Sequence, residues 1–310
     1  MKLLNEIKKH IISGKAFDEN LAIEIANFQI KNCKIYENFA KMKGINKIKS
    51  IKDIPFLPVE FFKKYEIFSL GEPDGFFISS GTTGNKSKVY YNKESLELYH
   101  LSAIKNFPLK NNKIYSLIPP FKIAKNSSLS YMLHLFSKDF RLIYLNNGLS
   151  DIKPDIMLEI IIKETDDNSI IFLTALQLLK IIEISETKID KQLFFIETGG
   201  YKSTGKIYRR RELYKRGINR FPNSKFYSEY GMAELFSQFW TTSKNNNYTF
   251  SNHNPVFSQN GRNLLKVFDF ANLGTISAIL VPDLIDKNGE EFEVIGRINS
   301  EIRGCGYVFR

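Results

Sequence analysis

The chain has 310 residues, enough for one large domain or two ordinary ones with a substantial core. Its 43% hydrophobic and 25% charged content exclude a disordered protein, and two cysteines exclude a disulfide framework and point to a reducing compartment. The formal charge of +11, from 44 basic against 33 acidic residues, is scattered, with Arg209 to Arg211 as its one dense cluster. No recognisable nucleic-acid module accompanies it, so the charge suits anionic substrates or an acidic partner protein rather than DNA or RNA.

The N-terminus carries charges inside its apolar stretch, and no apolar window is long enough to span a bilayer. Neither a signal peptide nor a transmembrane segment is expected, and the predicted location is cytoplasmic. From Asp18 to Gly44, Leu21, Ile25, Phe28, Ile35 and Phe39 recur at helical spacing and predict one long helix, with Asp18 as N-cap and Gly44 as its end. Pro55 and Pro58 predict an extended or turning connection. Two strand-like runs, Phe76 to Ile78 and Val89 to Tyr91, flank the polar stretch SSGTTGNKSK (79–88), and a helix follows, capped by Asn92 or Ser95. The runs at 113–120, 140–145, 169–175 and 191–200 read as buried strands, with helical stretches such as 175–184 between them. That alternation predicts an α/β fold with a mostly parallel sheet and helices on its faces. From Leu264 the runs shorten and are broken by Asn, Gly and Asp, which predicts a β-rich C-terminal portion. No internal repeat and no Pro, Gly or Ser-rich linker marks a domain boundary.

Two segments compete as a phosphate-binding loop. Gly200, Gly205 and Lys206 have Walker A spacing, but Ile207 follows where a Ser or Thr hydroxyl must hold Mg²⁺. SSGTTGNKSK lacks a Walker ending, since Asn85 separates Gly84 from Lys86. It offers four hydroxyls (Ser79, Ser80, Thr82, Thr83), two glycines that let backbone N–H groups turn toward an anion, and cations at Lys86 and Lys88. Taken alone, such a loop also suits a polar hairpin turn.

Its companions change the reading. SSGTTG, followed about 150 residues later by YSEYGMAELFSQ and then by PDL and FEVIGR, resembles the adenylate-forming superfamily of acyl and aminoacyl ligases. DIPFLPVEFFK before the loop, Lys-Ser-Lys after it, ETGGYK in mid-chain and SEIRGC at the end resemble the acyl-protein synthetase (LuxE) branch in particular. The motifs run from residue 52 to 305, nearly the whole chain. The resemblance implies an adenylate-forming domain over residues 1–295, helical up to about 60, then a hinge-like tail at 296–310, with the lid domain that carries the superfamily's catalytic lysine absent or vestigial. It implies ATP-dependent activation of a carboxylic acid, a fatty acid in that branch, to an acyl-adenylate with release of pyrophosphate.

By the same resemblance, Ser79, Ser80, Gly81, Thr82, Thr83, Gly84 and Lys86 would wrap the phosphates of ATP, with Lys86 among the catalytic groups. Glu234 would hold Mg²⁺, a hard ion that prefers oxygen ligands. Tyr230 would pack on the adenine beside Gly231, while Gly199, Gly200 and Tyr201 would line the adenine pocket. Asp283 would accept the ribose hydroxyls with Arg297 beside it. Cys305 would take the acyl group as a thioester for a reductase or acyltransferase partner; Gly304 and Gly306 flank it, and Arg303 favours its thiolate. Cys33, at helical spacing from Ala26 and Ile30, reads as a small buried hydrophobe. The superfamily pattern Tyr-Gly-x-Thr-Glu is broken by Ala233, and losing one hydrogen bond to a charged group costs about 1.5–3 kcal/mol. Two other readings stay open: a ligase that passes the acyl group to coenzyme A, and a non-catalytic nucleotide-binding subunit.

Overall fold

The computed structural model describes residues 2–80, 86–110, 113–145, 152–185, 187–199, 210–241 and 247–298. Helix α1 (Lys2–Ser13) is followed by α2 (Glu19–Asn32), whose N-cap Asp18 accepts from the Leu21 amide, and α3 (Lys34–Met42). The single helix expected from Asp18 to Gly44 is therefore two helices. Cys33 takes an extended conformation (φ −125°, ψ 105°), so the chain bends there while its amide still donates to the Gln29 carbonyl. The bend lets both segments bury side chains: Leu21, Ile25 and Gln29 from α2, and Tyr36 from α3, whose hydroxyl donates to the Pro55 carbonyl at 2.9 Å. Cys33 is buried, and burial pushes its thiol up.

The strands β1 (Leu57–Pro58), β2 (Gly75–Ile78) and β3 (Lys88–Tyr91) precede helix α4 (Lys93–Lys105), which starts on a reciprocal Asn92–Ser95 capping box. Strand and helix then alternate through β4 (Ile114–Ser116), α5 (Ser128–Phe136), β5 (Leu142–Tyr144), α6 (Pro154–Glu164), β6 (Ile170–Thr174), α7 (Ala175–Glu183) and β7 (Phe194–Thr198). Helix α8 (Arg210–Arg220) leads to β8 (Lys225–Tyr230), and the rest is mainly strand: β9 (Phe239–Thr241), β10 (Tyr248–Thr249), β11 (Gly261–Phe268), β12 (Ala278–Asn288) and β13 (Glu291–Arg297).

Among the described residues, β2 and β3 pair only with each other, and the other strands form one sheet in the order β1-β12-β13-β10-β9-β8-β7-β6-β4-β5, with β11 also on β12. From β5 through β8 the pairing is parallel, and from β8 to β12 it is antiparallel. The parallel half is covered on both faces, which is why its strands read as unbroken apolar runs. Along β6, Ile170 and Phe172 join one core and Ile171 and Leu173 the other. The same alternation along β7 and β8 sets Ile196 and Tyr227 against Phe195 and Phe226.

One polar knot fastens the turn after β8. The Asp269 carboxylate accepts from the Phe236 amide (3.1 Å), the Ser237 amide (2.8 Å) and hydroxyl (2.7 Å), and the Ala271 amide (2.9 Å). Asn272 adds a second tie, accepting from the Phe236 amide and donating to the Glu234 carbonyl at 2.7 Å. Gln29 of α2 donates to the Asn272 carbonyl at 2.9 Å and accepts from the Ser277 amide, so the N-terminal helices are bonded into the same knot. All of these groups are buried, so each bond stands in for one that water would otherwise make. Asp269→Ala is expected to leave several buried donors unpaired and to lower stability by about 2–5 kcal/mol. In urea unfolding, the midpoint should fall with little change in the denaturant slope.

Candidate functional site

The parallel strands point one way, and β6, β7 and β8 end side by side at their carboxyl edge. Open α/β sheets bind ligands outside that edge. Here Thr174, Thr198, Glu229 and Tyr230 from the strand ends line a cavity of about 280 Å³. Ser79 and Ser80, just after β2, and the first residues of α5 form a facing wall. The Ser87 amide donates to the Ser79 hydroxyl at 2.9 Å and the Ser79 amide to the Ser87 carbonyl at 3.0 Å, which pins together the two ends of the 79–88 segment.

Asp283 on β12 and Arg297 at the end of β13 also line the cavity. They are cross-strand neighbours beside a register irregularity between Leu284 and Ile285, the kind of local shift that re-aims side chains. The Tyr230 hydroxyl donates to the Asp283 carboxylate at 2.7 Å, and Arg297 Nε lies 3.3 Å from its other oxygen. The Tyr230 ring is fully buried against Phe239, Tyr248 and Phe292. Tyrosine, carboxylate and guanidinium from three strands therefore form one fixed row, in which Arg297 Nη2 meets no hydrogen-bond acceptor among the described residues.

Glu229 lies on the other face of β8 from Tyr230. Its register partner on β7 is Thr198, whose hydroxyl donates to the Glu229 carboxylate, and its partner on β9 is Trp240. The residue is 5% exposed. Burial pushes its carboxyl up to about 7; the Thr198 bond opposes that rise and the nearby Glu197 carboxyl adds to it. Gly231 is what leaves room for the carboxyl, because a Cβ there would stand 2.2 Å from a Glu229 oxygen. On the opposite face of β7, Glu197 is met by Arg210 Nε at 3.4 Å and by the Tyr214 hydroxyl at 3.2 Å, while Arg210 stacks on the Tyr248 ring.

Of the residues singled out by sequence, Ser79, Ser80, Gly199 and Gly231 line this cavity together with Tyr230, Glu234, Asp283 and Arg297. Gly199 follows β7 with φ 76°, a left-handed conformation suited to glycine. Ala233 also lines the wall, where it presents a methyl group. Lys86 is described, is exposed and is not part of the lining. Gly81, Thr82, Thr83, Gly84, Gly200, Tyr201 and Cys305 lie outside the described residues. Sequence reasoning passed over Glu229, Thr198 and Gln238. The available signal was a carboxylate in KFYSEY, a stretch whose other late positions are those of a buried strand.

The lining suits a nucleotide in two respects: a buried guanidinium nitrogen without an acceptor, and a carboxylate held at fixed geometry for hydroxyl groups. Among the described residues no cluster of three or more His, Cys, Asp or Glu side chains could hold a metal ion. Glu234, 1% exposed and in the cavity wall, offers the single carboxylate that Mg²⁺ uses when phosphates and water supply its other ligands.

No family model matches the chain, and no curated protein matches it. Solved structures do match in fold. A luciferase-like enzyme from the nonluminescent mealworm Zophobas morio aligns with TM-score 0.51 and 13% identity over 86% of this chain and 70% of its own. The O-succinylbenzoate coenzyme A synthetase MenE from Bacillus subtilis, solved with ATP and magnesium ion, aligns with TM-score 0.52 and 13% identity over 76% of this chain and 52% of its own. The N-terminal domain of FACL13 from Mycobacterium tuberculosis gives TM-score 0.54 and 13% identity over 81% of this chain and 64% of its own. The fold is that of the N-terminal domain of adenylate-forming ligases, and the chain spans about half the length of MenE. No helix among the described residues is long and apolar enough to cross a membrane.

The raised Glu229 carboxyl has a consequence for stability. Its folded value of about 7 lies above the ordinary 4.5, so the folded chain binds the proton more tightly than the unfolded chain. Stability tied to this group is complete below pH 4.5 and lost as pH rises through about 7. The loss amounts to at most about 3 kcal/mol. Comparing chemical unfolding of the protein and of Glu229→Gln across that range should show a steeper decline in the former; the part left in the variant comes from Asp269 and Glu197, which burial also raises.

Proposed function

We propose that the protein activates a carboxylic acid with ATP, forming an acyl-adenylate and pyrophosphate, and then passes the acyl group to Cys305. The observation that supports this most is the convergence on one cavity of segments more than 200 residues apart: the end of β2, the turn after β7, the Tyr230–Glu234 turn and the Asp283–Arg297 pair. These are the motifs whose order resembled adenylate-forming ligases, and the fold agrees with that reading.

In the first step a carboxylate oxygen of the acid attacks the α-phosphorus of ATP. A new O–P bond forms, the bond to the bridging oxygen of the β-phosphate breaks, and pyrophosphate leaves with its electron pair. The barrier is chiefly electrostatic, because one anion must approach another in a site sheltered from water. Arg297 supplies a fixed cation whose free donor has no competing acceptor among the described residues. Asp283, held by Tyr230 and Arg297, is oriented to accept the ribose hydroxyls without reorganising. Glu234 would hold Mg²⁺, which neutralises phosphate charge when bound. Ser79 and Ser80 would contribute donors to the phosphates, and Lys86 would reach them from the segment that follows. In the second step the Cys305 thiolate attacks the acyl carbonyl, the acyl–phosphate bond breaks and AMP leaves. The acyl-protein would then serve a reductase or acyltransferase.

Exchange of labelled pyrophosphate into ATP, run with Mg²⁺ and a panel of carboxylic acids, tests the first step; no exchange with any acid would end the adenylation reading. Asp283→Ala is expected to raise KM for ATP about ten- to hundredfold, since it removes a hydrogen bond to a charged group. Cys305→Ser should leave exchange intact and abolish covalent labelling by a radiolabelled acid. If Cys305→Ser instead forms acyl-coenzyme A at the unaltered rate, coenzyme A is the acceptor.

A further inference from the structure

Nothing in the adenylation chemistry just described uses Glu229 or Gln238, yet both are buried and both line the same cavity. Their surroundings give the Glu229 carboxyl one donor, Thr198, and leave the Gln238 amide oxygen with none among the described residues. Gln238 is 3% exposed, and its amide nitrogen serves the Tyr99 hydroxyl, which in turn donates to the Ser128 carbonyl at 3.0 Å. The Gln238 amide oxygen meets no donor among the described residues. The Glu229 carboxylate receives the Thr198 hydroxyl, and Gly231 holds open the space against its other oxygen. Gln238 Cγ lies 3.4 Å from the same Cβ position of Gly231, so the two acceptors flank one glycine.

Successive residues of a strand face opposite ways. Glu229 therefore departs from the Thr198 face of β8, while Tyr230 departs from the other face toward Asp283. The acceptor pair is thus set apart from the row proposed to hold the nucleotide. The cavity wall around it includes the apolar Ile78, Tyr99, Leu129 and Met132. A partly apolar wall that holds the unpaired Gln238 oxygen and the buried Glu229 carboxyl on the face of β8 away from Arg297 fits a ligand that is mostly hydrocarbon but carries one donor of its own.

Resting on the adenylating activity proposed above, we infer that Glu229 and Gln238 read a hydrogen-bond-donating substituent, an amino or hydroxyl group, on the acid that is activated. A plain alkyl chain in this place leaves the Gln238 oxygen unpaired and the Glu229 carboxyl with Thr198 alone, which disfavours it about ten- to hundredfold against a donor-bearing acid of the same size. An amino substituent has the further advantage of opposite charge, and it keeps Glu229 from repelling the acid's own carboxylate. Glu229 acts here as a specificity-determining residue and takes no part in bond making.

Pyrophosphate exchange with matched acids tests this: L-leucine, its α-hydroxy analogue and 4-methylpentanoate, and likewise 6-aminohexanoate, 6-hydroxyhexanoate and hexanoate. In at least one series the donor-bearing acids should exceed the plain acid about ten- to hundredfold in kcat/KM. Glu229→Leu should remove or invert that preference, and the isosteric Glu229→Gln, which keeps the fold, should depress the amino acid more than the hydroxy acid. A Glu229 variant that merely perturbed the structure would slow all members alike and leave the ratio unmoved. Plain acids that exchange as fast as their substituted partners, or a preference that survives both variants, would overturn the inference while leaving adenylation standing. No exchange with any acid overturns the activity itself, and the inference with it.

Discussion

The Asp269 carboxylate, with four donors directed at it, is the point on which the site's geometry rests. The turn from Gly231 to Ser237 has no strand or α-helix to shape it, and a free loop of that length would sample many conformations. By accepting from Phe236, Ser237 and Ala271, Asp269 fixes the far end of that turn against the 3₁₀ segment Phe270–Gly274, while β8 fixes the near end. Asn272 then takes the Glu234 carbonyl, and Gln29 extends the tie to α2. A chain of buried polar bonds thus runs from the N-terminal helices to the acidic residue in the cavity wall. Buried networks of this type are costly when incomplete and rigid when satisfied, which suits a turn that must hold its position.

The sheet contributes a second constraint through its period of two. Along β7 and β8 the residues Thr198 and Glu229 lie on one face and Glu197 and Ser228 on the other. Two carboxyls are thereby buried on opposite sides of the same strand pair, one with Arg210 beside it and one facing the cavity. Burial raises both; beside Glu197 the Arg210 guanidinium opposes the rise, while at Glu229 the opposing contact is the Thr198 hydroxyl. That contrast separates a group stabilised within the fold from a group available to a ligand.

Much of this was legible in the sequence, and the reasons for the remainder are physical. The parallel strands announced themselves as apolar runs because they are covered on both faces, and Asn92 and Asp18 marked helix starts through their caps. Tyr230, Glu234, Asp283 and Arg297 were marked by motif order, and the fold brings them to one cavity. The break at Cys33 was not legible, since Cys33 keeps helical spacing and no Pro or Gly announces a bend; it accompanies tertiary ties on either side of it, Gln29 to Asn272 and Ser277 and Tyr36 to Pro55. Glu229 was overlooked for a related reason. Its neighbours in KFYSEYG set its surroundings, but Thr198, Gln238 and the vacancy made by Gly231 exist only once β7, β8 and β9 are paired.

The pairing of β8 with β9 carries one more consequence. The chain has a single tryptophan, Trp240, which is buried against Phe107 and stands opposite Glu229 in the strand register. Its indole is therefore a native optical reporter one strand away from the carboxyl that takes up a proton near neutral pH. Titration of Glu229, or a cation arriving beside it, alters the field across that ring and is expected to displace its emission spectrum, so occupancy of the cavity becomes readable by light without any label.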